Sequence, residues 1–499
     1  MSHAHQPNDW STRSGVDNDL HGQHLYLRLA ENALFVAENL RGNYFRNTAE
    51  FVRALRLKIA SAERNNESPI LGTQSFDDLT WDDVRGEVVT FIDGGVGQVQ
   101  ISSQVPILLR VGSYAVRTGE RRISERESFG YYPVILGDLE GGSKDRQNFS
   151  DLVRITAELL GGLSAVERTP DLDVLMFHGP LIEFVGTYAG HSPFTEQDID
   201  LFLNQYGHDA ETAHQLKEDF LTSARLDVYP AMTDRSDEWV RQRLFEPLAF
   251  LAFLYQRLIA RAKVHPHKPV IASVVERSDH RMFIESILMP RVFRGLREKD
   301  NLNWFNELFG RSDLTTEKTV LDRLGYTDSL LLGMLLRPGQ ATESWLMPKY
   351  VSLQTGSIQL PSEGFRSATN WAPLRPPSPF GFPNVLGCYL QVSETTDPIR
   401  IEVFEALGQS QLARAAQHAY LYARLLPGYG FPVGLDVVDK FARVPTWLTD
   451  AYGKLIRHQL GVSLQQGDIS DAEMRRILIQ SIYITHRDWL FRPTVDGVS

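Results

Sequence analysis

Asp93 closes the β-type run Val-Val-Thr-Phe-Ile-Asp and is followed at once by Gly94, Gly95 and Gly97. Farther along, Glu158 lies within Arg-Ile-Thr-Ala-Glu-Leu-Leu, and His178 ends the apolar run Asp-Val-Leu-Met-Phe-His. Two carboxylates and an imidazole are ligands for a hard divalent cation, Mg²⁺ or better Mn²⁺. Two such ions would activate a water and stabilise the leaving oxygen in phosphodiester cleavage. Glu158 adjoins an apolar helix face, where a carboxylate without a partner is expensive. The glycines would let a phosphate approach closely and would make a tight turn into a second strand. Each residue also has a plain reading: Asp-Gly is a common hairpin signal, Glu158 could be an ordinary helix-face residue, and His178 before Gly-Pro could serve a turn.

These residues need elements to position them. The pattern gives helices over about 25–62, strands at 88–93, 97–103 and 105–117, and a loop at 137–148. An amphipathic helix follows at 149–166 with Ser150 as its N-cap, then a strand at 173–177. Helices are expected at 195–207 and 237–263, a strand at 269–275, and mostly helix over 280–345. Strands return between 347 and 403, at 349–354, 387–392 and 399–404, interrupted by the Pro-rich surface loop 372–383. A helix at about 409–425 and a helical tail end the chain. A strand with a terminal Asp, two more strands in a meander, a helix and a strand form the opening order of the ribonuclease H type of fold. The expected class is therefore α/β: a ribonuclease H-like core, its mixed central sheet flanked by helices, with helical insertions and extensions. The expected boundaries are a helical N-terminal segment at 1–80, a core domain at 81–445 with a helical insertion at about 195–345, and a helical extension at 446–499.

The bulk numbers narrow the function. A formal net charge of -11 over 499 residues argues against a general nucleic-acid coat protein, yet leaves room for a locally basic channel. The single cysteine, Cys388, excludes an intrachain disulfide and reads as core filling. The N-terminus shows no secretory pattern, so a cytoplasmic protein is expected. The most apolar helix, Leu244 to Ala262, carries Glu246, Pro247, Arg257 and Arg261 and reads as buried core rather than a membrane span. The stretch Gly-Gly-Ser-Lys-Asp at 141–145 lacks the order of a phosphate-binding P-loop, so any processive motor must be another protein. An actin- or sugar-kinase-like ATPase would need Ser or Thr where Val96 stands. His265 and His267 flank Pro266 after a helix end and read as loop residues. Arg117, Arg121, Arg122 and Arg126, and separately Arg53, Arg56 and Lys58, are candidates for a local phosphate track.

Together the segments Phe-Ile-Asp-Gly-Gly (91–95), Ala-Glu-Leu-Leu (157–160), 175–182, 271–278, 327–343, Ile-Arg-Ile-Glu-Val-Phe (399–404) and 428–444 resemble, in order and rough spacing, the NurA-type nucleases. The resemblance covers most of the chain, from about Val88 to Val444. It implies a ribonuclease H-like, Mn²⁺-dependent (or Mg²⁺-dependent) deoxyribonuclease, a 5′→3′ exonuclease and single-strand endonuclease. It further implies a homodimer on a hexameric HerA-type ATPase translocase, in DNA end processing or antiphage defence, with no membrane role. Carried across, Asp93, Glu158 and His178 are the catalytic residues. They bind metal together with Asp439 and, as a fourth candidate, Asp328. His178 stands where the family usually has Asp, and Asp439 where His is often found. Glu276 replaces a family Lys, with Arg277 beside it. Arg400 and Glu402 match an Arg-x-Glu strand and imply either a structural ion pair or a DNA contact. Arg117, Arg121, Arg122, Arg277 and Arg400 are the candidate DNA-binding residues. The altered ligands also leave open a catalytically weak docking and DNA-threading subunit.

Overall fold

The computed structural model describes residues 22–99, 107–136, 143–182, 200, 203, 210–223, 247–277, 280–294, 303–304, 306–307, 326–347, 383–466 and 470–483. The expected strand at 349–354, nearly all of the loop at 372–383 and most of the helix at 195–207 lie outside these residues. The chain forms two compact units, residues 1–70 with 285–326, and residues 71–284 with 327–499. The N-terminal helices thus share a unit with part of the segment expected as an insertion.

In the first unit, helices α1 (Gly22–Asn39) and α2 (Arg46–Arg64) form where helical periodicity was expected. α2 buries Thr48, Phe51, Val52, Leu55 and Ala62, which share one helical face. Phe51 stacks on Tyr326 at 5.2 Å between ring centroids and meets Trp304 at 6.0 Å.

The second unit is built on one mixed sheet. Its strands are β1 (Thr73–Ser75), β2 (Val88–Gln98), β3 (Ile107–Arg117), β4 (Glu127–Leu136), β5 (Leu172–His178), β6 (Val270–Val275), β7 (Gln340–Thr342), β8 (Trp345–Leu346), β9 (Val385–Leu390) and β10 (Ile399–Phe404). The order is β1-β7-β9-β10-β6-β5-β2-β3-β4, with β8 on β9. β2, β3 and β4 are an antiparallel meander, whereas β5 lies parallel to both β2 and β6. β6, β9 and β10 are buried at every position, which explains the nearly unbroken apolar runs of β6 and β9; β10 buries Arg400 and Glu402 as well.

The helices of this unit are α3 (Ser143–Arg168), α4 (Ala210–Ser223), α5 (Pro247–Val264), α6 (Asp328–Leu335), α7 (Ser410–Ala423), α8 (Val433–Ala442), α9 (Thr446–Gln466) and α10 (Ala472–Tyr483). α3 and α5 cover one sheet face, where Leu160 and Leu258 pack with Ile92, Phe177 and Ile271. α7 and α8 cover the other, where Ala416 and Leu435 pack with Phe91, Met176 and Ala272. No helix among the described residues is long and apolar enough to cross a membrane.

Three expectations are corrected. β2 runs straight through Gly94, Gly95 and Gly97 and pairs with β3 as far as Gln98, so no turn stands at the glycines. The third strand of the meander is β4, which the sequence reading left unassigned. α3 also begins at Ser143 rather than Phe149, because its polar first turn carries no apolar periodicity.

Candidate metal centre

β2 and β5 lie side by side in parallel, with Ile92 opposite Phe177. Ile92 and Phe177 point into the α3–α5 layer, while Phe91 and Met176 point into the α7–α8 layer. The two-residue period of a strand then turns the next residues, Asp93 and His178, toward α7 and α8. α8 supplies Asp439. One ligand atom from each of Asp93, His178 and Asp439 lies within 4.8 Å of the others. His178 Nδ1 is 3.0 Å from Asp93 Oδ2, and Asp93 Oδ1 accepts from the Gly94 amide at 2.8 Å. The Phe431 ring packs 5.3 Å from the imidazole.

The glycines explain how three elements come this close. A Cβ on Gly95 would overlap the Ala442 carbonyl oxygen at the end of α8, and one on Gly97 would lie 2.6 Å from the Val444 side chain. Contacts this short do not occur between real atoms, so α8 can lie on β2 only because that face of the strand is bare. On the opposite face, a Cβ on Gly94 would lie 2.6 Å from Glu158 Oε1. The Glu158 carboxylate therefore reaches the strand end through the space of a missing side chain. The glycines admit a helix and a carboxylate, which replaces the turn expected of them.

Glu158 is buried on α3, and Arg154 NH1, one turn earlier, donates to its Oε1 at 2.7 Å. It flanks the three mutually close ligands rather than joining them. Burial pulls the His178 pKa down. The hydrogen bond and charge of Asp93, with the charges of Asp439 and Glu158, outweigh burial and leave it raised. Two carboxylates and an imidazole in reach of one ion fit Mn²⁺ or Mg²⁺ by donor chemistry. The three ligand positions converge without any cysteine, since Cys388 is buried and its thiol is pushed up to about 12 by desolvation.

Other sequence candidates go elsewhere. Asp328 is fully buried at the start of α6 and accepts from the Phe283 amide at 3.0 Å, the Ile284 amide at 2.9 Å and Tyr389 Oη at 2.9 Å. Its oxygens tie β9 to the helical residues 283–284, so the expected ligand role gives way to a structural one. Desolvation raises its pKa to about 6 from 3.8. Because the folded state binds this proton more tightly than the unfolded chain, the contribution is greatest below about pH 4. It is lost as pH rises through 6. Asp328→Asn is therefore expected to gain stability relative to the wild type between pH 4 and 7, on the order of 3 kcal/mol. Paired thermal melts across that range check it, and a difference that is flat with pH contradicts it.

Arg400 is 2% exposed, and its Nε donates to Glu402 Oε1 at 2.6 Å. Glu402 Oε2 accepts from the Leu181 amide at 2.7 Å. Arg400 is thus the structural half of its two readings, and a DNA contact there is corrected. Arg117 pairs with Asp171 and lies opposite Val88, at the end of β2 away from Asp93. Five residues of strand separate the two ends, about 16 Å. Arg121 and Arg122 follow β3 at that far end, their amides held by Glu120 Oε1 at 2.7 and 2.9 Å. These three lie at the opposite end of β2 from Asp93, so as candidates for a phosphate track they stand apart from the metal centre. Arg277 is exposed just past β6, whose Val274 pairs with His178, so it remains at the right strand ends. His265 Nε2 meets the Thr169 carbonyl at 3.0 Å and His267 Nδ1 meets Asp173 at 3.3 Å, both structural contacts.

Sequence reasoning missed Arg154 and Phe431. The Arg154–Glu158 spacing of four was the available signal for the first; nothing local marked Phe431.

Fold and site define an α/β protein whose mixed sheet delivers a carboxylate–imidazole cluster suited to a divalent cation. The family model described as "NurA domain" matches residues 87–444, and the chain belongs to the NurA family. Among solved structures, the NurA nuclease from Sulfolobus solfataricus is 12% identical, over 90% of this chain and 98% of that one, with a TM-score of 0.44. A structure of NurA bound to dAMP and manganese is 11% identical, over 85% of this chain and 94% of that one, with a TM-score of 0.35. No curated protein matches the chain.

Proposed function

We propose that this protein is a divalent-metal-dependent deoxyribonuclease with a ribonuclease H-like core. The observation that carries the reading is the convergence of Asp93, His178 and Asp439 within 4.8 Å, in a chain of the NurA family. The strand order β4-β3-β2-β5-β6 supports the core assignment. Mn²⁺, or Mg²⁺, held there would supply Lewis acidity to the scissile phosphate and offset charge on the leaving oxygen. Asp93 and Asp439 would hold the cation with His178, and Glu158, fixed by Arg154, would complete the negative rim. Arg277, at the same strand ends, would steady the phosphate backbone of the entering strand.

Family membership extends the proposal to a cytoplasmic homodimer working with a hexameric HerA-type translocase, in end processing or antiphage defence, with 5′→3′ exonuclease and single-strand endonuclease modes. In domain terms, residues 81–445 would carry most of the nuclease together with β1, and the helices before β1 and residues 446–499 would be helical extensions. A second reading, a weakly active docking subunit, draws on the direct His178–Asp93 hydrogen bond, because an imidazole already bonded to one ligand is less available as another. The purified chain, titrated with Mn²⁺ against labelled single- and double-stranded DNA, is expected to degrade DNA and to stop on chelation. Absence of cleavage with DNA binding retained would establish the second reading instead.

A further inference from the structure

The first unit holds a cavity of 430 Å³ whose wall shares no residue with the metal centre. Lys58, Arg291 and Arg294 supply its cations, Ser61 and Ser68 its hydroxyls, and Glu67 its one carboxylate. Glu67 Oε1 already accepts from Asn65 Nδ2 at 3.2 Å. The Lys58 ammonium sits 4.8 Å from the Trp304 ring centroid and 5.7 Å from that of Phe293. A ring face steadies a cation without neutralising it, so this charge still seeks an anion. Burial lowers the Lys58 pKa, as it does for an ammonium drawn from water. In a chain of formal net charge -11, three cations against one carboxylate among the described lining residues stand out.

We propose that this cavity binds a phosphate group, carried by a free nucleotide or by a nucleic-acid strand. The Arg294 guanidinium fork beside the Lys58 ammonium and the Ser61 and Ser68 hydroxyls can address several oxygens of a tetrahedral anion at once. A carboxylate ligand would leave much of that donor set unused. The volume also suits a nucleotide-sized group, being within the usual span of small-molecule pockets. Lys58 is the member of the Arg53, Arg56, Lys58 run that lines the cavity, which gives that run a use the metal centre does not.

The inference does not rest on catalysis, and its test keeps the two apart. Full-length Asp93→Asn protein is held in EDTA, so that DNA stays intact whatever the nuclease reading. Binding of a labelled single-stranded oligonucleotide is followed by anisotropy against salt, with inorganic phosphate and a deoxynucleoside monophosphate as competitors. Adding Lys58→Ala and Arg294→Ala is expected to weaken oligonucleotide binding at least tenfold. The same pair should flatten the salt dependence by about 1.4, at about 0.7 per lost phosphate contact on a single strand. Arg294→Glu alone, on an exposed side chain that folding tolerates, is expected to weaken it at least threefold. Competition by phosphate or the mononucleotide assigns the site to a free phosphate; displacement only by unlabelled oligonucleotide assigns it to the strand backbone. Affinity within twofold of the parent and an unchanged salt slope in both variants would overturn the proposal, as would a failure of all three probes to bind.

Discussion

Asp93→Asn is expected to cut Mn²⁺-dependent DNA degradation about a thousandfold, the rate equivalent of about 4 kcal/mol of lost charge stabilisation. The substitution keeps the shape of the side chain and an oxygen for the Gly94 amide, which Asp93 now satisfies at 2.8 Å. It removes the anionic oxygen that faces His178 and the position where Asp439 converges. The protein should therefore melt near the wild-type temperature while losing the stabilisation that Mn²⁺ confers, since a ligand that binds only the folded state raises its stability by mass action. Calorimetry with and without Mn²⁺, beside a gel assay, reads both quantities. Undiminished cleavage by the variant would remove Asp93 from the chemistry, whatever its geometry.

Gly95→Ala is expected to damage the site without touching any ligand. The added methyl group meets the backbone carbonyl of Ala442, which cannot swing aside as a side chain can. Overpacking costs about 1–3 kcal/mol, and a backbone obstacle places this variant at the upper end. The relief available is for α8 to move off β2, carrying Asp439 away from Asp93 and His178. Mn²⁺ affinity should then fall at least tenfold, together with a lower melting temperature. Gly461→Ala is the matched control: it lies in α9 with open space around it, so the same methyl group should stabilise by about 0.5–1 kcal/mol. Titration of both variants by isothermal calorimetry separates them. Equal Mn²⁺ affinity in the two would show that α8 does not depend on the bare strand.

The difference between these two glycines marks where sequence reading stops. Strands β5, β6 and β9 were legible because each is a short, mostly apolar run buried in the sheet, and β10 because β-branched residues alternate with Arg400 and Glu402. His178 was legible as a strand-terminal residue; Asp93, expected at a strand end, lies within β2 just past the last residue paired with β5, and that pairing makes the two neighbours. The glycines after Asp93 were visible, but their purpose was not. A local pattern reports a turn, whereas the real constraint is a helix that arrives from far along the chain. Asp328 misled for a related reason. An acidic residue opening a helix looks the same whether its oxygens face a cation or two buried amides and a tyrosine. Arg400 looked like a phosphate contact because a sequence shows charge but not the buried carboxylate, Glu402, that already holds it. Arg154 could have been paired with Glu158 by spacing alone.

The order in which the chain supplies its ligands has a biological corollary. Asp93 and His178 belong to early strands, but Asp439 rides on a helix close to the end of the second unit. Synthesis proceeds from the N-terminus and domains acquire structure as they emerge. A nascent polypeptide, or one released prematurely, carries an incomplete set of donors and a bare glycine strip with nothing docked on it. The three donors therefore cannot meet until the chain has been made through α8, and a polypeptide cut short before Asp439 is expected to hold the cation weakly.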